Sequence, residues 1–234
     1  MLNRIVFVAL LAGALAGLIT SGLQQALVVP LILAAETYEP APDHHHDTTG
    51  AEVEAAPAAP AATHDPGVVD IRRAAITTAA TVGAAVGFAL MLLTAMQALG
   101  ETVTPLSALA WGAAGFAAVG LAPALGLAPE LPGSAAGDLN LRQLWWVGTA
   151  VATALGLWLM IRKRTSWTVA LGALLLAAPH VIGAPHPILL TSTVPAELAS
   201  AFVARSLAIQ AIFWALIGAF SGYFWMRAER DVHP

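Results

Sequence analysis

Residues 5–35 carry no charged side chain at all. A water-facing helix cannot be built from such a run, whereas a bilayer-spanning helix needs only about 20 consecutive apolar residues. The stretch has features of a secretory leader, with Arg4 as basic flank and Ala34-Ala35 near a cleavage position. The apolar region of a leader extends to about 15 residues, and this one is roughly twice that, so a retained helix is expected. Five more apolar runs follow, at 74–99, 105–127, 143–161, 167–182 and 202–226. The fifth is short and ends in Pro179-His180; a re-entrant or broken helix there leaves five crossings rather than six.

Composition points the same way. Hydrophobic residues make up 58% of the 234 and charged residues only 10%, with a mean hydropathy of +0.76, against about 25% charged in a soluble domain. The expected fold is an all-α integral membrane protein, a bundle of about six transmembrane helices (five possible) with the N-terminus inside. Residues 1–35 form the first helix, 36–71 an external loop, 72–230 a bundle of about five helices, and 231–234 a short cytoplasmic tail. A soluble enzyme is excluded. Nucleic acid is not a partner, because ten basic against fourteen acidic residues give no basic face. With no cysteine, disulfides, thiolate metal sites, iron–sulfur clusters and cysteine nucleophiles are excluded too.

Basic residues set the orientation. Arg162-Lys163-Arg164, between the fourth and fifth runs, is the densest cluster and belongs on the cytoplasmic side. With six spans Arg4, Arg227 and Arg230 join it, leaving Arg72, Arg73, Arg142 and Arg205 outside. Trp145-Trp146, Trp167, Tyr223 and Trp225 sit at span ends, where amphipathic rings anchor. Eleven of the fourteen acidic residues then face out, and only Glu101, Glu229 and Asp231 face in. Acids contribute little to topology, so this asymmetry asks for a functional reason.

The one long hydrophilic segment, 36–71, has a Pro/Ala-rich middle that reads as extended linker, with Asp43-His44-His45-His46-Asp47 before it and His64-Asp65 after. Imidazole and carboxylate suit borderline divalent ions such as Co²⁺, Ni²⁺ and Zn²⁺. Adjacent histidines in a loop make no rigid site; they concentrate a cation and pass it on. The other reading is a solvated acidic loop.

Two proline-broken segments lie where spans meet the outer face. Residues 120–133, GLAPALGLAPELPG, close the third span and free backbone carbonyls, which bilayer depth tolerates only against protein or a wet cavity. Glu130 adds a carboxylate there, or is a surface acid at a helix stop. Residues 178–187, APHVIGAPHP, hold His180 and His186, each a proton relay, a metal ligand or a hydrogen-bonded headgroup-level histidine. Gln24 and Gln25 either line a path or bond between helices; Met91 and Met96 read as packing. Gly13/Gly17 and Gly83/Gly87 are GxxxG pairs that allow close helix approach, within the chain or against a partner. No GxxxxGK[ST], HExxH or GxSxG occurs, so no catalytic constellation is expected.

The first span with Gly-Leu and Gln24, then Glu36 and the His-rich acidic loop, the 120–133 segment and the 178–187 segment occur in an order that resembles the CbtA family of predicted cobalt transporter subunits. The resemblance covers essentially the whole chain, and the proline-rich 120–133 stretch is its most specific part. It implies cobalt uptake linked to cobalamin supply in a bacterial inner membrane, and a small single-span, histidine-bearing partner subunit. It carries no established ligand set. From chemistry and position, the metal-handling candidates are Glu36, Asp43, His44, His45, His46, Asp47, His64, Glu130, His180 and His186. No tightly bound cofactor is expected; Co²⁺ is the transported ion, with Ni²⁺ or Zn²⁺ equally suited by ligand type. An accessory or sensing subunit is the second reading and efflux the third.

Overall fold

The computed structural model describes residues 1–38, 71–135, 137–187 and 192–230, and among them all regular structure is helical. α1 (Leu2–Leu27) and α2 (Val29–Glu36) form one bent rod. Pro30 brings no N–H, and the chain bends at Val28, whose own N–H still reaches the Gln24 carbonyl at 2.9 Å. At about 1.5 Å per residue α1 alone measures roughly 39 Å, enough for a hydrocarbon core of about 30 Å. The single first span expected from sequence is therefore a spanning helix plus a short helix that carries on past it.

α3 (Ile71–Ala98) runs back along α1. Gly17 and Gly13 let the two backbones touch: a Cβ on Gly17 would lie 2.6 Å from Val82 Cα, and one on Gly13 would fall on the Val86 backbone. Ser21 and Thr78 share a 2.7 Å hydrogen bond, and Thr81 donates to Gln24 Oε1 at 3.1 Å. Gln24 is thus an interhelical acceptor.

α4 (Pro105–Phe116) starts at a reciprocal cap. Thr104 Oγ1 accepts from the Ser107 N–H at 3.1 Å, Ser107 Oγ accepts from the Thr104 N–H at 2.9 Å, and Pro105 occupies the first turn. The helix passes into a π-helical turn, π1 (Ala117–Leu121), and a last short turn, α5 (Ala122–Ala124). α4 packs on α8 (Ala196–Arg230) through glycines again: Cβ atoms on Gly218 and Gly222 would lie 2.9 Å from Leu109 Cα and 2.6 Å from Pro105 Cα. Phe88 of α3 meets Phe213 and Trp214 of α8 at ring-centroid distances of 6.0 and 5.0 Å, filling the centre of a four-helix bundle made by α1, α3, α4 and α8.

The remaining helices form a hairpin. α6 (Leu139–Trp158), capped by Asp138 accepting from the Leu141 N–H at 2.9 Å, ends in a second π turn, π2 (Leu159–Lys163). Arg164, at φ +51°, reverses the chain into α7 (Ser166–Ile182). Gly156 and Gly172 face each other at the crossing, where a Cβ on either would sit 2.7 Å from the other's carbonyl oxygen. α7 returns far enough for its Pro179 carbonyl to accept from Trp145 Nε1 at 3.2 Å. Among the described residues five helices are long and apolar enough to cross a bilayer; α7, at 17 residues, is the short one, as the fifth apolar run suggested.

The chain sorts into two ends. Arg4 Nη2 donates to the Trp225 carbonyl at 2.8 Å, its guanidinium lies 4.0 Å from the Trp225 ring, and it pairs with Glu229 at 3.5 Å. Arg162 pairs with Glu101 and donates to the Leu99 carbonyl at 2.7 Å. The start of α1, the α3–α4 turn, the hairpin tip and the end of α8 therefore share one face, the Arg4 end. At the opposite face, the Glu130 end, Glu36 pairs with Arg73 at 2.8 Å, Glu130 pairs with Arg142 at 2.6 Å, and Arg205 donates to the Leu27 carbonyl at 3.0 Å. Among the described residues the Arg4 end carries six basic and two acidic side chains, the Glu130 end four of each. Arg162-Lys163-Arg164 thus shares its face with Arg4, Arg227 and Arg230, the partition on which the positive-inside argument depends.

Candidate functional site

Where the hairpin meets the bundle, the two do not close. A cleft of about 520 Å³ opens at the Glu130 end between α6, π1 and α8. α6 offers it Leu139, Arg142, Gln143, Trp146 and Val147, the i, i+3, i+4, i+7, i+8 spacing of a single helix face. Val119 and Gly120 of π1 and Gln210 of α8 complete the wall. Gly120 is what allows the Gln210 amide to approach: a Cβ there would lie 2.7 Å from Gln210 Oε1 and 2.9 Å from Phe116 Cδ2. The Glu130–Arg142 pair also lines the cleft.

Glu130 is held there by its neighbour. Leu131 is buried in a small second core with Val28, Ala35, Val194, Phe202 and Ile209. Pro129 and Pro132 on either side stop the segment from continuing as helix. Gly133, at φ +79°, turns the chain, and its carbonyl accepts from the Thr193 N–H at 3.4 Å. The loop after α5 is thus pinned to the loop before α8, with Leu131 inward and the carboxylate toward the cleft.

The 178–187 segment packs against the same region. Gly183, at φ +88°, ends α7, and residues 183–187 run on without regular structure. A Cβ on Gly126 would lie 2.9 Å from Ala184 Cβ, and one on Gly137 would lie 3.3 Å from the Pro185 carbonyl. Gly126 and Gly137 therefore lie against residues 184–186. His180 stands edge-on to Trp145, with ring centroids 6.0 Å apart at 71°.

The sequence-derived candidates fare unevenly. Glu36, Glu130, His180 and His186 all lie at the Glu130 end, but the two carboxylates are engaged by Arg73 and Arg142. His180 packs on Trp145, and His186 sits in the extended segment beside Gly137. Asp43, His44, His45, His46, Asp47 and His64 lie outside the described residues. Among the described residues no three His, Asp or Glu side chains gather into a group able to hold a metal ion. Arg142, placed from sequence only by its charge, and Gly120, the first residue of the 120–133 segment, line the cleft together with Gln143 and Gln210, to which the sequence assigns no role. The signal available was Gln210, the one amide in the charge-free run 206–222, and Pro123, a proline inside the third span.

Chemically the cleft offers one carboxylate, two side-chain amides and a stretch of irregular backbone in an apolar frame. The Glu130–Arg142 pair is partly exposed, and such pairs contribute only about 0–1 kcal/mol, so Glu130 can exchange Arg142 for another cation at small cost. Amide, carbonyl and carboxylate oxygens suit a hard or borderline divalent ion.

A family model described as a probable cobalt transporter subunit (CbtA) matches residues 2–226, nearly the whole chain. No curated protein and no solved structure matches it. The word subunit in the family description implies a partner component, and cobalt is the ion that the description names.

Proposed function

The chain belongs to the CbtA family of probable cobalt transporter subunits, and from that premise we propose that this multi-pass membrane protein carries divalent cobalt inward, entering at the Glu130 end. The family match over residues 2–226 carries the reading. The cleft at the end where the external acidic segment is attached supports it.

In this reading residues 36–71 form the external loop and residues 231–234 a cytoplasmic tail, with both chain ends inside a bacterial inner membrane. Asp43, His44, His45, His46, Asp47 and His64 raise the local concentration of Co²⁺, an attraction that acts over a Debye length of about 8 Å at physiological salt. Glu36, Glu130, His180 and His186 then receive the ion at the membrane surface. A small single-span, histidine-bearing subunit is the partner, and cobalamin synthesis is the consumer. Moving two charges inward gains about 4.6 kcal/mol per ~100 mV of inside-negative potential. That sustains a gradient of about 2000-fold without ATP, which agrees with the absence of a P-loop. Transport, not catalysis, is the role assigned.

The test is radiocobalt uptake into cells making this chain with its partner subunit. Replacing His44, His45 and His46 together by Ala should reduce uptake about threefold at limiting cobalt and little at saturation, since a capture loop changes local concentration alone. His180→Ala should lower the rate at both concentrations. Absence of uptake with the partner present would assign an accessory or sensing role instead.

A further inference from the structure

The backbone of the π1 turn does not balance. The Ala122 N–H reaches back to the Ala117 carbonyl, and Pro123 has no N–H to give. Leu125 donates to Leu121 and Ala122, while Gly126 and Leu127 both donate to Pro123. The Ala124 N–H closes the α5 turn onto Gly120, which leaves the Ala118 and Val119 carbonyls without a backbone donor. No described side chain donates to these oxygens either. Unserved carbonyls at membrane depth occur against protein or along a water-filled cavity, and Val119 lines the cleft. π turns inside helices frequently mark functional sites for this reason. Across the cleft, the Gln143 and Gln210 side chains make no hydrogen bond to any described residue, and Gln210 Oε1 leans over Gly120.

We propose that the free carbonyls of π1, with the Gln210 and Gln143 amide oxygens, form a transit site in which a divalent cation exchanges part of its water, entered when Glu130 leaves Arg142 for the ion. This deepens the uptake reading and rests on it. Neutral oxygens hold a divalent ion weakly, and weak binding is what passage requires, because the ion must leave as readily as it enters. Oxygen donors also separate Co²⁺ poorly from Mn²⁺ or Ni²⁺, so selectivity resides in the histidines upstream. Arg142 sets the sign of the entry step. Glu130→Gln leaves an unpaired guanidinium at the cleft and repels the ion, whereas Arg142→Gln frees the carboxylate and strengthens capture.

The natural absence of cysteine makes the test direct. In membranes containing the chain with its partner subunit, Val119→Cys should react with a water-soluble cationic thiol reagent. Co²⁺ should slow that reaction about fivefold or more, which corresponds to about 1 kcal/mol of occupancy-dependent protection. Gln210→Leu should abolish the protection, Gln210→Asn should keep part of it, and Ser200→Cys, exposed near the polar start of α8, should react but show none. Failure of Val119→Cys to react, or reaction indifferent to Co²⁺, overturns the site. So does full cobalt uptake by a Gln210→Leu protein that accumulates normally. Protection at Val119→Cys in a complex that takes up no cobalt supports the site and overturns the uptake reading, so the two fail separately.

Discussion

The four-helix bundle and the α6–α7 hairpin are built from the same small and apolar residues, yet they are held in different ways. In the bundle, glycines press α1 onto α3 and α4 onto α8 along their lengths, and Phe88, Phe213 and Trp214 fill the middle. The hairpin is as tight internally, at Gly156 and Gly172, but it is tethered to the bundle by few points. Among the described residues these are Arg162 with Glu101 and the Leu99 carbonyl at the Arg4 end, the Arg142–Glu130 pair and the packing of Ala184 and Pro185 near Gly126 and Gly137 at the Glu130 end, and the π1–α5 turn between them. Unpartnered buried polar atoms do not separate the two among the described residues: Thr153 Oγ1 and Trp158 Nε1 lie in the hairpin, Arg4 Nε, Thr20 Oγ1 and Ser221 Oγ in the bundle. Helix pairs sealed by backbone contact leave no route for an ion. The seam between bundle and hairpin, where the backbone turns π-helical and amides face a cleft, is where one can form.

Substitutions can break that contrast. The largest effect is expected from Gly13→Leu, which drives a side chain into the Val86 backbone and should cost about 3 kcal/mol or prevent assembly. Gly83→Leu, on the open side of α3, should stay within about 0.5 kcal/mol, as surface substitutions do. Thermal unfolding in detergent, followed by circular dichroism, compares the two; equal losses would mean that the bundle is not sealed as described. Gly156→Leu should cost about 2 kcal/mol but confine its damage to the hairpin. Hydrogen exchange should show α6 and α7 losing protection while α1 and α3 keep theirs. Arg162→Gln removes an exposed tether and should cost about 1 kcal/mol or less. It should also speed thiol labelling of Val119→Cys, because the hairpin then swings more freely. Smallest is Trp145→Phe, which deletes one hydrogen bond to the Pro179 carbonyl, worth about 1 kcal/mol or less at this half-buried position. It should leave helix content unchanged and cobalt uptake slightly reduced.

Absence of charge reveals a spanning helix with little ambiguity, so the first run and its neighbours were legible as sequence. The bend at Val28 before Pro30 was not expected, since residues 1–35 read as one helix. What the sequence cannot distinguish is direction. Gly13/Gly17 and Gly83/Gly87 have identical spacing, but the first pair touches α3 and the second faces open space, because only the tertiary arrangement decides which side of a helix is covered. The same holds for the two methionines: Met96 is fully buried and Met91 is largely exposed. Glu36 and Glu130 stand out as acids near the membrane, but their partners Arg73 and Arg142 become apparent only once the chain has folded, 37 residues away in the first case. Gln143 and Gln210 were harder still. Single amides 67 residues apart carry no pattern, and they matter only because α6, α8 and the π turn converge on one cleft. The two proline-rich segments were recognisable as unusual; that they touch each other was not.

The most direct measurement is cobalt entry into right-side-out vesicles carrying the chain with its partner subunit, at a controlled membrane potential, for the natural protein and Glu130→Gln. An inward path starting at this carboxylate predicts entry that rises with inside-negative potential and falls about tenfold, the equivalent of about 1.4 kcal/mol, in Glu130→Gln. Entry that ignores both the potential and Glu130 would contradict it.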